Sequence, residues 1–186
     1  MQRVIGWLRF ASCFLLVLIT SAVGEAEVKS GIDALNEHLV GVWVGTNHDY
    51  MKGSPITSSV TIAIEKDKKP GQLYLAYTYV TGPKQNVDHY DVLLRIDPLK
   101  AMAFRDRKKI RKDRYVVEGL DKVLATGYGD FTFLGWTGDA QGRLAAYRAD
   151  YHLSPDTLSY EVFTSTDGAP FVKTGDWALR RAAAAQ

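Results

Sequence analysis

The sequence predicts an all-β protein: a single antiparallel up-and-down β-barrel of about 8–10 strands, preceded by a short N-terminal helix and a signal peptide. Three observations support this fold class. About ten short segments alternate apolar and polar residues, which is the two-residue period of a strand. Turn-forming glycine, proline and aspartate separate these segments. No intervening stretch is long enough for the helix that a parallel crossover requires.

The helix comes first in this prediction. Ser30-Gly31-Ile32-Asp33 has the pattern of a capping box, and the apolar residues Leu35 and Leu39 follow it at helical spacing. Gly41 then ends the helix and leads into the first strand.

Strands are predicted wherever the alternation runs between turn signals. The clearest is Asp88 to Asp97, in which Val92, Leu94 and Ile96 share one face and charged residues occupy the other. Leu120 to Ala125 could form a second short helix. A β-sandwich is the alternative architecture for the same segments. The predicted strands are 40–46, 57–65, 72–80, 88–97, 100–106, 114–119, 128–137, 142–153, 157–165 and 170–181.

The N-terminus has the pattern of a signal peptide. Arg3 and Arg9 precede an apolar stretch that is short for a membrane span, and Ala22 and Gly24 stand at the −3 and −1 places of a cleavage site. We expect cleavage near Gly24 and export to the periplasm or the exterior; an uncleaved anchor is the alternative. The predicted organisation is signal peptide 1–24, leader and helix 25–39, barrel domain 40–181 and flexible tail 182–186.

Cysteine content and charge narrow the function classes. The single cysteine, Cys13, lies in the predicted signal peptide, so a mature chain would contain no disulfide. Loss of Arg3 and Arg9 with that peptide removes the whole net charge of +2. Because nucleic-acid affinity depends on neutralising phosphates, a neutral chain argues against a nucleic-acid partner.

Two motifs at the ends of the predicted barrel resemble those of the calycin group, which contains lipocalins, fatty-acid-binding proteins and nitrobindin-like barrels. They are Gly41-Val42-Trp43 after the helix and Trp177-Ala178-Leu179 before the basic pair Arg180-Arg181. The resemblance implies that Trp43 forms the barrel floor and that Arg181, or failing that Arg180, lies over it. Such a cation–π contact contributes about 0.5–2 kcal/mol.

Aromatic side chains on the predicted inward faces are candidates for ligand binding. Ala145 and Ala149 alternate with two of them and would leave space inside the barrel. Aromatic walls that carry hydroxyl groups suit a small hydrophobic or amphipathic ligand, bound without catalysis. A filled core whose hydroxyls meet backbone groups is the alternative. The candidates are Tyr77, Tyr79, Phe133, Tyr147, Tyr151 and Tyr160.

One strand offers an alternative function as an isomerase- or cyclase-type enzyme. Arg148, Asp150 and His152 share one face at two-residue spacing, so Asp150 could orient His152 as a general base while Arg148 holds an anion. Because the opposite face of this strand is the apolar one, these three residues could instead form a solvated outer row.

We predict neither a metal nor a cofactor. His89 and Asp91 share a face and could supply two metal ligands, but no third ligand is visible. A haem held by one imidazole, as in some nitrobindin-like barrels, would need an inward histidine, whereas His89 and His152 are both predicted to face outward.

Residues 105–114 have the highest local density of positive charge in the chain, which indicates an anionic partner. The protein could then be an envelope interaction module that binds an anionic membrane surface through these residues by Coulomb attraction. The alternative is a solvated hairpin whose charges discourage edge pairing. The basic residues are Arg105, Arg107, Lys108, Lys109, Arg111, Lys112 and Arg114.

Overall fold

The computed structural model describes residues 31–50, 55–107, 111–138 and 144–183. Helix α1 spans residues 31–39, helix α2 spans Leu120–Thr126 between β6 and β7, and a 3₁₀ turn spans Pro98–Lys100 between β4 and β5. The strands are β1 Gly41–Asp49, β2 Ile56–Lys66, β3 Gln72–Thr81, β4 Asn86–Asp97, β5 Met102–Arg107, β6 Arg111–Glu118, β7 Gly129–Gly138, β8 Leu144–Leu153, β9 Thr157–Thr166 and β10 Val172–Arg181. The predicted signal peptide and most of the predicted tail lie outside the described residues.

The ten strands form one closed antiparallel barrel in which each strand pairs with the next and β1 pairs with β10. The predicted fold class is therefore confirmed, and the sandwich alternative is excluded. Closure removes the unpaired edges that an open sheet of this length would expose. No helix in the described ranges is long and apolar enough to cross a membrane.

The seam between the first and last strands depends on a close backbone approach. Its register runs from Trp43 opposite Arg181 to Asp49 opposite Gly175. At Gly45 a Cβ atom would lie 2.0 Å from the carbonyl oxygen of Ala178. Glycine is therefore required at this position for β1 and β10 to meet.

The core occupies the barrel interior and the end covered by α1. Leu35 and Leu39 of α1 are buried, and they extend the core formed by the inward residues of the strands. Along β2 the buried residues Val60, Ile62 and Ile64 alternate with more exposed ones, as the strand period requires.

The strand predicted from Lys100 begins too early. Lys100, predicted to start β5, lies in the 3₁₀ turn, because Pro98 fixes the backbone and the side chain of Asp97 accepts a hydrogen bond from the Lys100 N–H at 3.3 Å. Ala101 then adopts a left-handed conformation with φ of 47°, and β5 begins at Met102.

Candidate functional site

Trp43 and Arg181 close the α1 end of the barrel. Trp43 has no exposed surface, and its Nε1–H donates a hydrogen bond to the carbonyl of Leu39 at 2.9 Å. The Cζ atom of Arg181 lies 4.4 Å from the centroid of the Trp43 ring, so a cation–π contact joins β10 to the floor. Arg180, the fallback in the sequence analysis, is exposed.

The same arginine fastens the connection between α1 and β1. Its guanidinium donates to the carbonyl of Val40 at 2.8 Å and to the carbonyl of His38. Gly41 has φ of 137°, and a Cβ atom there would lie 2.6 Å from Nη1 of Arg181. The glycine of the Gly-x-Trp motif therefore makes room for the arginine that covers the tryptophan.

A cavity of about 50 Å³ lies inside the barrel beside α1. Leu39 of α1 forms one of its sides, and most of its wall is aliphatic. A volume of this size holds a few water molecules. Aliphatic wall residues include Ile62, Ile64, Leu73, Leu75, Ile96 and Leu158.

Four of the six predicted ligand-binding residues line this cavity: Tyr77, Phe133, Tyr151 and Tyr160. Their rings continue into an extended stack, with Tyr151 and Tyr160 centred 4.9 Å apart and Phe131 4.9 Å from Tyr151. The cavity therefore has an aliphatic side and an aromatic side.

The other two predicted residues, Tyr79 and Tyr147, do not line the cavity. The Tyr79 hydroxyl lies 3.0 Å from that of Tyr90 and accepts a hydrogen bond from Trp177 Nε1 at 3.0 Å. Trp177 also stacks on Tyr160, with ring centroids 4.5 Å apart. Tyr79, Tyr90 and Trp177 thus form a hydrogen-bonded layer, which we call the aromatic layer.

Neither Tyr90 nor Trp177 was among the predicted ligand-binding residues, although a signal was available. Tyr90 has the same parity as Val92, Leu94 and Ile96, and Trp177 has the same parity as the buried Leu179. Extending the apolar face of each strand by one step would have placed both inside.

The interior tyrosines hold their protons strongly. Burial raises the pKa values of Tyr77, Tyr79, Tyr151 and Tyr160 well above the ordinary 10.0. At neutral pH these hydroxyls are therefore neutral and able to donate hydrogen bonds.

Two residues of the predicted basic surface, Arg105 and Arg107, face the interior instead. They share a face of β5 with Ala103, which is fully buried, and Arg105 lines the cavity. The prediction that these two side chains belong to a basic surface segment was wrong, because a run of charges hides the alternation of a strand. Phe104 and Asp106 take the outward positions, with Phe104 under Arg95 and Asp106 paired with Lys112.

The structure describes the side chains of only two of the other five basic residues in this segment. Lys112 and Arg114 are exposed on β6. Lys108, Lys109 and the side chain of Arg111 lie outside the described residues.

The proposed Asp150–His152 pair is not formed. His152 Nδ1 lies 2.6 Å from Oδ1 of Asp130 on β7, while Asp150 accepts hydrogen bonds from Thr132 and Arg148. Asp130 and Thr132 stand directly opposite His152 and Asp150 in the β7–β8 register. His152 therefore contacts a carboxylate across the ladder, whereas Asp150 is shared between Thr132 on β7 and Arg148 on its own strand. The row faces outward, away from the cavity.

None of the four histidines lines the cavity, so an imidazole-held haem does not fit its residues. His89 on β4 lies 3.0 Å from the Thr78 hydroxyl on the outer wall. Among the described residues no group of three histidine, aspartate, glutamate or cysteine side chains is arranged to hold a metal ion.

A polar network on the outer wall was also missed. Asp176 accepts hydrogen bonds from Tyr50 at 2.8 Å, lies 2.7 Å from His48 Nδ1 and is paired with Lys173 at 2.9 Å. Burial alone would raise the pKa of Asp176, but Lys173, His48 and Tyr50 lower it. The network links β1 to β10 on the outside of the seam.

Comparisons with known proteins place the fold. Rv2717c from M. tuberculosis superposes with a TM-score of 0.58 at 15% identity, covering 82% of this chain and 98% of that one. The S-type phycobiliprotein lyase CPES from Guillardia theta superposes with a TM-score of 0.58 at 12% identity, covering 87% and 98%. No protein-family model and no curated protein matches the sequence. The likeness and the closed ten-stranded barrel give a calycin-type fold.

Proposed function

We propose that this protein is exported by means of residues 1–24 and binds a small hydrophobic or amphipathic molecule inside its barrel without transforming it. The observation that carries the proposal is the interior cavity, aliphatic beside α1 and aromatic on the other side. Such a lining favours an apolar body and, through the tyrosine hydroxyls, a polar group. One structural neighbour is a phycobiliprotein lyase, and the shared fold is compatible with binding a small ligand.

The small size of the cavity means that a ligand cannot bind unless the interior rearranges. Pockets for drug-sized ligands enclose about 300–1,000 Å³, whereas this cavity measures about 50 Å³. A ligand of that size must displace aromatic side chains as it enters. The aromatic layer of Tyr79, Tyr90 and Trp177 is held by two hydrogen bonds and is the part that has to move.

A cavity-filling substitution tests this function. Leu94→Trp places a large side chain in the cavity, and Leu93→Trp, one residue away on the opposite face of β4, is the matched control. Native mass spectrometry of protein purified from its own compartment should show a bound small molecule on the wild type and on Leu93→Trp. The polypeptide mass should also correspond to cleavage near Gly24.

We expect Leu94→Trp to lose at least nine-tenths of the bound molecule while retaining the wild-type circular dichroism spectrum, because the space for the ligand is occupied. A wild-type protein that carries no ligand, or a Leu94→Trp variant that retains it fully, would contradict interior binding.

We propose attachment to an anionic membrane as a second function, because one outer face combines apolar and basic side chains. Trp136 is 61% exposed and Val116 is 42% exposed on β7 and β6, beside the exposed Lys112 and Arg114. An exposed tryptophan with neighbouring cations suits the interface of a membrane that contains anionic lipid.

The double variant Lys112→Glu/Arg114→Glu should then bind vesicles of phosphatidylglycerol at least fivefold more weakly than the wild type, with a difference that shrinks as salt is added. The control Lys68→Glu/Lys69→Glu reverses two exposed charges in the β2–β3 turn and should bind as the wild type does. Equal binding by all three proteins in a co-sedimentation assay rules this second function out.

A further inference from the structure

The interior of the barrel contains a cation that forms no ion pair with a described carboxylate. Arg105 points inward from β5 and lines the cavity. Asp113 stands opposite it in the β5–β6 register, yet no ion pair among the described residues includes Arg105. Its strongest electrostatic neighbours are the hydroxyls of Tyr77, Tyr147, Tyr151 and Tyr115.

A second guanidinium lies on the same face of β5. The Nε of Arg107 is buried and has no hydrogen-bond partner within the described chain. Burial raises the pKa of Tyr147, and the positive charges of Arg105 and Arg107 oppose that rise, so both cations act on the same hydroxyl. Both guanidinium groups therefore act on the interior from the same strand, β5.

Arg105 is half-buried, so it loses part of its hydration. This loss destabilises the fold when no ion pair compensates it. An apolar residue of similar length would avoid this penalty. The penalty is offset if a ligand supplies the missing negative charge, since charge-assisted hydrogen bonds are stronger than neutral ones.

The groups around Arg105 complete a receptor for an anion. Tyr77 and Tyr151 keep their protons at neutral pH and donate hydrogen bonds, while the guanidinium offers a planar fork that matches a carboxylate. With Arg105, these groups favour acceptor oxygens over a bound cation.

The shape of the interior favours a particular kind of uncharged body for the ligand. Rings are stacked nearly parallel on the aromatic side, at 4° between Phe131 and Tyr151 and 11° between Tyr160 and Trp177. A flat ring that enters such a stack gains ring-to-ring contacts, whereas an aliphatic chain does not.

We infer that the occupant of the barrel is a small ring-containing organic anion, such as an aromatic carboxylate, whose negative group binds Arg105 and whose ring lies among the tyrosines. This rests on the proposed function and adds the charge and shape of the ligand to it. Nothing in the row of Arg148, Asp150 and His152 takes part, because that row faces outward.

Benzoate, benzamide and hexanoate are the probes for the test, added to ¹⁵N-labelled protein in heteronuclear NMR titrations at pH 7.5. Benzoate has the ring and the charge, benzamide has the ring alone and hexanoate has the charge alone. We expect benzoate to bind the wild type at least tenfold more tightly than either of the others, with shifts at the amides of Arg105 and Tyr151.

The variants are Arg105→Met, which removes the charge at similar length, and Arg95→Met, which removes an outer-wall arginine that lies 4.4 Å over Phe104. Arg105→Met should bind benzoate at least tenfold more weakly and no better than benzamide, while Arg95→Met should match the wild type. Because an uncompensated charge is removed, Arg105→Met should melt at the same temperature as the wild type or higher.

Equal affinity of the wild type for benzoate and benzamide overturns the inference, and this comparison needs no variant to fold. So does a folded Arg105→Met protein that retains its preference for benzoate. If the molecule found on the purified protein is neutral, the charge assignment fails while the proposed binding function stands. If no molecule is found and no probe binds, both fail together.

Discussion

Replacing Trp43 by alanine is expected to lower the free energy of unfolding by about 3–5 kcal/mol, the cost of removing a large aromatic side chain from a core. The side chain is fully buried, donates to the carbonyl of Leu39 and supports the guanidinium of Arg181. Its removal leaves a void at the barrel floor and takes a partner from each of these two groups. Guanidinium unfolding followed by circular dichroism measures the loss.

Trp136→Ala is the matched control, because Trp136 is 61% exposed on the outer wall. Substitutions at such positions change stability by about 0.5 kcal/mol or less. Trp43→Phe should fall between the two, since it keeps most of the packing but loses the hydrogen bond to Leu39. Matching unfolding midpoints for the two alanine variants would mean that Trp43 does not hold the floor together.

The second large effect is a loss of stability in alkali. In the unfolded chain Tyr77, Tyr79, Tyr151 and Tyr160 ionise near pH 10, whereas burial raises their pKa values in the folded barrel. Below pH 10 both states hold these protons, and the contribution to stability is constant. Above pH 10 the unfolded state binds fewer protons, so the free energy of unfolding decreases by up to about 1.4 kcal/mol per pH unit for each tyrosine.

Urea unfolding at intervals from pH 8 to pH 11.5, with tyrosinate absorbance recorded in parallel, measures this slope. We expect ionisation of the interior tyrosines to coincide with unfolding. The double variant Tyr151→Phe/Tyr160→Phe should decrease the slope by about 3 kcal/mol per pH unit, because two ionising groups are removed. Gradual ionisation near pH 10 in a barrel that stays folded would show that water reaches these hydroxyls.

The strands could be predicted because local patterns determine them. In β4, apolar residues at every second position specify both the strand and its inward face, and Asp97-Pro98 marks its end. The Gly41-Val42-Trp43 motif located the floor only through its resemblance to the calycin group, because the space at Gly41 and the cover over Trp43 both depend on Arg181 of the last strand.

The site was harder to predict because it depends on register between strands. His152 and Asp150 stand two apart in sequence, but their partners Asp130 and Thr132 come from β7, about twenty residues earlier. Likewise, the charge run around Arg105 indicates a surface, and only the pairing of β5 with buried neighbours shows that Arg105 points inward. Charge content alone does not determine the face of a strand.

The pairing of β1 with β10 also sets when the molecule can fold. The two strands that complete the cylinder are separated by the eight other strands, so the ring cannot close until β10 has left the ribosome. Deletion of β10 would leave every hairpin from β1 to β9 in place and still prevent the ring from closing.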